Sequence, residues 1–579
     1  MKCFYEPRDE GQSATSGGES AAASVQPHSA EGRLRVPEAM LDRHGADVIN
    51  PARSAAAGSS APASSIYRTR TLMLPGALHH EDRLRELNAV LDRVGMRLVS
   101  PPPLPEIAGN AATAALPRPA VLVPVSEDDE VDAWKALNAL RHATRRDGAG
   151  SGPDLDEQVV EQIALEHLLT GAAIIGDPIL EGGPILEGGP ILEGGDVLGS
   201  YLYGRGAARA PVQIALDAPA RLTHAESTRK YGRRPVIAVL DSGVRAHPWL
   251  GVRKGKGYPD ADDKDCYATE GDGFVQVDQV MQDSIYEHAV QVDGVEKGRR
   301  QLIRYPWDAP VATEATVPQV GGYMGHGTFI AGIFRQVVPD ATVLSVRIMH
   351  SDGVVYEGDL MCALSLLAAR VAKARRDGDL AALIDAVSLS FGYFVESSGD
   401  VTYTSALRQV IDLLLDMGVL VIAAAGNFAT RRKFYPAALA TRSAPQGLSV
   451  VSVGAQNPNG THAAFSDVAS WVHAWAPGAA IISTFPIDVD GVRKPDIVVP
   501  GSSHSSTIES LDPDDYRSGF VAWSGTSFAA PAMAASVVRV MLESIAQAPS
   551  DTSVRLDKLG AAAAIERVHH ALGQLKRPV

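Results

Sequence analysis

The run Pro235-Val236-Ile237-Ala238-Val239-Leu240-Asp241-Ser242-Gly243 is an unbroken apolar stretch closed by an acid and a tight Ser-Gly turn. Such a run is a strand buried on both faces, the signature of a parallel sheet covered by helices. Ala341–Ile348, Ala386–Phe391, Val419–Ala425 and Leu448–Val453 read similarly. Helical stretches lie between them at Asp359–Arg375 and at Ser405–Met417, the latter stopped by Gly418. Buried strands alternating with helices predict an α/β fold, a doubly wound and mostly parallel sheet with helices on both faces, over residues 229–579.

Ahead of this region the chain divides in three. Residues 1–64 are rich in Ala, Ser, Gly and Pro and are expected to be disordered, because they cannot bury enough apolar surface to offset ordering entropy. Residues 65–150 predict a small α+β domain: strands at Tyr67–Leu74, Met96–Val99 and Val121–Val125, with amphipathic helices at Glu81–Val94 and Glu130–Arg145. Residues 151–228 are expected to be linker, with one helix at Leu155–Leu169 and three copies of Pro-Ile-Leu-Glu-Gly-Gly at 178–195. Three hexads are too few for a solenoid, so the repeats read as a Gly/Pro-punctuated connector.

Composition narrows the class. Apolar residues at 45% and charged residues at 21% describe an ordinary globular protein, and the net charge of −15 argues against a nucleic-acid partner. The 3 cysteines have no metal-ligand spacing and give no disulfide framework. No signal peptide is apparent, and no uncharged stretch is expected to span a membrane, so a cytoplasmic protein is expected.

Four points carry chemistry. Asp241 ends a buried strand, where a carboxylate can orient an imidazole. His326 lies in Gly325-His326-Gly327-Thr328, with small residues on either side that leave room for a second chain, and it is expected to open a helix. Among the 16 histidines, those compared with it have no comparable setting. Asn427 ends the strand Val421–Gly426, where its amide can donate to a developing oxyanion. Ser527 sits in Trp523-Ser524-Gly525-Thr526-Ser527-Phe528-Ala529-Ala530-Pro531, a tight turn running into an Ala-rich helix whose positive end favours an alkoxide. Taken singly, each is more often a plain turn or core residue.

Together, Asp241-Ser242-Gly243, Gly325-His326-Gly327-Thr328, Ala425-Gly426-Asn427 and Gly525-Thr526-Ser527 resemble the signature blocks of subtilisin-like serine proteases, in the Asp, His, Ser order of that family. Ser388-Leu389-Ser390-Phe391-Gly392 is similar to the family's substrate strand, and Phe465-Ser466-Asp467 and Ala476-Pro477-Gly478 resemble two structural blocks. The resemblance covers about 229–570 and departs at Phe329, Phe528 and Ala532–Ala535, positions of packing rather than chemistry.

The resemblance implies a serine endopeptidase with a subtilisin-like fold. In it Asp241, His326, Ser527 and the oxyanion donor Asn427 act on a protein or peptide substrate paired beside Ser390, Phe391 and Gly392. No cofactor or catalytic metal is implied. Calcium often stabilises the family, so Asp260, Asp262, Asp263 and Asp265 are a candidate cation loop, with a solvated acidic loop the preferred reading. Secreted relatives carry an inhibitory α+β propeptide, which 66–145 resembles in outline, and this N-terminal region would then dock on the catalytic domain as in a zymogen. Two rivals stand beside this reading. One is a sedolisin-type peptidase, whose Glu base and Asp oxyanion residue His326 and Asn427 contradict. The other is a catalytically silent peptide-binding scaffold.

Overall fold

The computed structural model describes residues 3–5, 34–51, 62–103, 116–144, 155–173, 185–186, 209–214, 217–260, 263–296, 302–309, 321–396, 405–441, 447–490, 497–499, 506–508, 515–548 and 554–575. The principal sheet runs in the order Phe4–Tyr5, Ala474–Pro477, Val451–Gln456, Leu420–Ala424, Ala386–Leu389, Val236–Asp241, Thr342–Arg347, Val275–Val277. Every neighbouring pair is parallel except Phe4–Tyr5, which adds antiparallel at the edge. The expected two-sided burial is present: Ile237, Ala238 and Leu240 are fully enclosed. The buried carboxylate of Asp385 anchors two central strands at their start. It accepts two hydrogen bonds of 2.7 Å from Arg233 and one of 2.9 Å from the Val236 N–H.

Helices His326–Val337 and Thr526–Gln547 pack together against one face of this sheet. Gln279–Glu296 and Ser405–Asp416 cover the other, with Glu357–Asp377 packed between them. Thr526–Gln547 is long and apolar enough to cross a membrane by length and composition, contrary to the expectation from charge spacing. However, 83% of its most apolar window is buried inside the domain, as befits a core helix.

The N-terminal domain has the order strand Ile66–Leu74, helix Glu81–Leu91, strands Met96–Val99 and Arg118–Pro124, helix Ala133–Ala143 and strand Ala164–Gly171. That is a split β-α-β around an antiparallel sheet, with its own core of Leu72, Leu87, Leu91, Leu122, Leu137 and Leu140.

Other features also differ from the sequence expectation. Only Glu157–Val160 is helical within Leu155–Leu169, and Ala164–Gly171 is a strand lying beyond the expected boundary at 150. Within 1–64, the described residues form strands Phe4–Tyr5, Leu34–Arg35 and Ala46–Val48 and helix Glu38–His44. Among their apolar groups, Cys3, Leu34, Met40 and Ile49 are buried against the rest of the molecule. Of the repeats, Ile185–Leu186 pairs antiparallel with Leu34–Arg35, and the other copies lie outside the described residues.

Strand Ala164–Gly171 joins the two domains. Its first half pairs with Ile66–Leu74. Its second half is clasped on both sides, so that Thr170 faces Val354 on one edge and Gly392 on the other. Glu166 from this strand accepts the Gly358 N–H (3.1 Å) in the first turn of helix Glu357–Asp377, where the helix dipole favours an anion. The Arg68 guanidinium lies 3.5 Å from its other oxygen, both groups fully buried. Replacing Glu166 with Ala removes a buried carboxylate from beside a buried cation. It should lower the free energy of urea unfolding by roughly 3–5 kcal/mol; a variant as stable as the parent would show that this pair holds nothing.

Candidate active site

Asp241 closes the central strand with its carboxylate buried, and Oδ1 accepts from the Ser242 N–H (2.8 Å) and from His326 Nδ1 (2.7 Å). His326 is the first residue of its helix, and the preceding Gly325 has φ 82°. A Cβ at Gly325 would fall 2.3 Å from the Phe485 ring, so this turn requires glycine on both counts. With Nδ1 held by Asp241, the imidazole presents Nε2, which has no hydrogen-bond partner among the described residues. Aromatic rings wall it: Tyr323 at 5.2 Å, Trp523 at 5.4 Å and Phe528 at 5.4 Å between centroids. The two departures, Phe329 and Phe528, pack on one another at 4.4 Å within this wall.

Ser527 lies in the first turn of helix Thr526–Gln547, fully buried. Its Oγ donates to the Ser390 carbonyl (3.0 Å), and the Ser390 hydroxyl donates back to the Ser527 carbonyl (3.0 Å). Asn427 is oriented by Thr526, whose N–H and hydroxyl both donate to its Oδ1 at 2.9 Å. Its Nδ2 is left as a buried donor without a partner among the described residues. Native structures rarely leave such a group bare without a reason.

Asp467 stiffens the Asn427 loop by accepting the N–H groups of Phe428 (2.9 Å) and Thr430 (3.0 Å). Burial drives its carboxyl well above the usual range, and those two bonds only partly oppose this.

The sequence-predicted residues Asp241, His326, Ser527, Asn427 and Ser390–Gly392 therefore share one cleft, and that cleft is filled. Strand Ala164–Gly171 runs through it: the Ala172 N–H donates to the Ser390 carbonyl (3.0 Å), and the Ser527 N–H donates to the Ala172 carbonyl (2.9 Å). Phe391 and Gly392 pair with Gly171 and Thr170, and the Gly171 N–H reaches the Gly353 carbonyl at 2.9 Å.

Two residues at the site were missed from sequence. The Tyr323 hydroxyl donates to the Gly171 carbonyl (2.5 Å) and lies 3.1 Å from that of Ala173, with nothing beyond its place three residues before His326 to mark it. Asp308, from the insertion between Asp241 and His326, is fully buried. Its Oδ2 accepts from the Gly325 N–H (2.6 Å) and the Ser242 hydroxyl (3.2 Å), tying the Asp241 turn to the His326 helix. In the acidic part of that insertion, Asp263 accepts the Asp265 N–H (2.8 Å) in an exposed turn, and Asp262 lies outside the described residues.

Burial raises the Asp308 carboxyl to about 6, against the opposing pull of Arg347, the Gly325 N–H and Arg245, with Asp241 adding to the rise. A carboxyl whose pKa is higher folded than unfolded (about 3.9) gives stability that is complete below the unfolded value and lost as pH rises through the folded one. Asp308→Asn keeps the acceptor without the charge. Its melting temperature should therefore fall less than the parent's between about pH 4 and pH 6, and parallel curves would remove Asp308 from the pH response.

The model of the subtilase family matches residues 232–555, more than half of the chain. Subtilisin DY of Bacillus licheniformis is 27% identical over 28% of this chain and 54% of its own length. Thermitase of Thermoactinomyces vulgaris is 30% identical over 31% of this chain and 57% of its own. The chain thus spans about half the length of these curated relatives. A solved lanthipeptide protease aligns with 42% of this chain and 66% of its own, at 21% identity and a TM-score of 0.29. By the family match and the blocks that carry it, this chain belongs to the subtilase family.

Proposed function

We propose that the protein is a serine endopeptidase held as a zymogen by its own N-terminal domain, and that it cuts itself between Ala172 and Ala173. One observation carries this reading: the Ala172 carbonyl rests on the Ser527 N–H while the Ala172 N–H rests on the Ser390 carbonyl. That is how an extended substrate lies when the carbonyl carbon of its scissile bond faces the nucleophile.

In the reaction, the Ser527 hydroxyl leaves the Ser390 carbonyl and gives its proton to His326 Nε2 as Oγ attacks the Ala172 carbonyl carbon. Asp241, on Nδ1, fixes the tautomer and stabilises the imidazolium. Negative charge grows on the Ala172 oxygen, which already has the Ser527 N–H. The bare Asn427 Nδ2 is the second donor, satisfied only as that charge develops. His326 then protonates the departing Ala173 nitrogen, and water, activated by the same imidazole, releases Ala172 from the acyl-enzyme. Only side chains, backbone amides and water take part.

Intact mass after incubation tests the proposal. The parent should first shorten to a chain whose first residue is Ala173, whereas Ser527→Ala should stay at full length. Asn427→Ala should process about 10²- to 10³-fold more slowly. A parent that neither shortens nor takes a fluorophosphonate adduct would leave the fold without this activity.

The docked strand also carries a pH response. His167 is enclosed between Glu357 (3.0 Å) and Glu396 (3.2 Å). Burial alone would depress the imidazole, but hydrogen bonds and charge from the two glutamates outweigh it and hold the group up at about 9. A raised histidine contributes stability that is complete below its unfolded value of about 6.5 and lost as pH rises through the folded one. Release of the cut N-terminal fragment should therefore increase between about pH 7 and pH 9 in gel filtration, and His167→Asn should flatten that rise.

A further inference from the structure

The strand in the cleft also reports what the cleft accepts, and that reading rests on the proposed peptidase function. At Gly171, a Cβ would fall 2.2, 2.7 and 2.8 Å from three ring atoms of Tyr323. That ring cannot step aside. Its hydroxyl donates to the Gly171 carbonyl and accepts the Ala173 N–H, its other edge lies so close to the Gly353 backbone that only a residue without a Cβ fits there, and its ring meets that of His326 edge to face at 5.2 Å. This position of a substrate is restricted to glycine.

Ala172 follows in the strand alternation on the side of Thr170 and Leu168, which share a small apolar cavity with Phe428 and Phe434. Phe434 fills the space that would open beside the substrate strand, lying 2.4 Å from where a Gly392 Cβ would stand. A small residue, Ala172, occupies this position of the docked strand. Leu168 and Leu169 are both buried, which calls for apolar residues ahead of the polar position of Thr170.

The sequence contains this pattern three more times. Leu168-Leu169-Thr170-Gly171-Ala172 matches Ile179-Leu180-Glu181-Gly182-Gly183, Ile185-Leu186-Glu187-Gly188-Gly189 and Ile191-Leu192-Glu193-Gly194-Gly195 at each place: apolar, Leu, polar, Gly, small. The glutamates also have a counterpart. Arg432 stacks at 4.5 Å on Phe394, which lines the same cavity as Thr170, and donates only to the carbonyls of Ser64 and Val395 among the described residues. The middle copy already pairs with Leu34–Arg35, and Leu34 lines that cavity too.

The copies differ in the residue that comes next. In the docked strand the Ala173 N–H donates to the Tyr323 hydroxyl (3.3 Å). Copies one and two are followed by Pro184 and Pro190, which have no N–H to give, whereas copy three is followed by Asp196.

From this we infer that the cleft selects Leu-x-Gly followed by Gly or Ala, and that the linker repeats are its ligands within the chain. The third copy is cut at Gly195–Asp196 after the first cleavage, and the first two bind without being cut. In the second cut the Gly195 carbonyl forms the Ser527 ester, the Asp196 amine leaves with the proton from His326, and water then frees the Gly195 carboxylate.

Intact mass and four synthetic peptides test this on the processed enzyme. The expected result is a mature chain starting at Asp196 and hydrolysis of Ile-Leu-Glu-Gly-Gly-Asp-Val-Leu. The peptide with Ala for the first glycine should be cut at least 100-fold more slowly. The peptide with Pro after the second glycine should be uncut and should inhibit competitively. Arg432→Gln should raise KM for the Glu peptide and leave KM for Leu-Leu-Thr-Gly-Ala-Ala-Ile-Ile unchanged. An enzyme that takes the fluorophosphonate and starts at Ala173, yet leaves Gly195–Asp196 whole or cuts the Gly and Ala peptides equally, overturns the specificity and leaves the peptidase standing. An enzyme that takes no fluorophosphonate fails at the earlier step.

Discussion

The Ser390 carbonyl oxygen has two lone pairs, and both are in use: one accepts the N–H of Ala172, the other the hydroxyl of Ser527. Much else in the molecule depends on this shared acceptor. It sets the height of the docked strand in the cleft, and the Ala172 carbonyl then falls on the Ser527 N–H. It also holds the nucleophile away from the imidazole, whose Nε2 has no partner among the described residues. In the proposed enzyme, substrate binding and the resting position of the nucleophile therefore meet at one atom.

A strand of eight residues satisfies both domains because each presents an open edge. Val354–Tyr356 and Phe391–Gly392 are short strands with a gap between them, and Ile66–Leu74 has a free side; Ala164–Gly171 fills both needs in sequence. Charge fixes its register. Glu166 reaches the Gly358 N–H and His167 sits between Glu357 and Glu396, so a slip of one residue would place an apolar side chain among buried carboxylates. Ion pairs of this kind specify an arrangement better than they stabilise it, because desolvation offsets much of their attraction. That suits the proposed zymogen, whose contact would form once and later separate.

The parts of this design that were legible in sequence are those whose chemistry is local. Asp241 closes an unbroken apolar run, His326 follows a glycine that a turn requires, and Ser527 opens an Ala-rich helix; each was readable because one residue type in one short context does the work. The docked strand was not. Its segment, Ala164-Leu165-Glu166-His167-Leu168-Leu169-Thr170, has apolar spacing compatible with a helix, and only edges far away in the chain decide for a strand. Likewise Phe4–Tyr5 is too short to carry any periodicity, and its place is set by Cys3 packing 3.2 Å from Ser536. Asp308 and Tyr323 become visible only when the Asp241 turn and the His326 helix are brought together.

In the proposed zymogen, the same geometry would let the aromatic wall serve both the inhibited and the working state. Tyr323, Trp523 and Phe528 keep the imidazole in a poorly hydrated site, where its bond to Asp241 counts for more than it would in water. With the strand in place, Tyr323 also bonds across the scissile peptide, to Gly171 on one side and Ala173 on the other. Cutting that peptide separates the two groups the hydroxyl holds together, so the residue that defines the glycine position loses part of its grip once the bond is broken. In the proposed reaction, losing the contact that spans the bond favours release of the product strand.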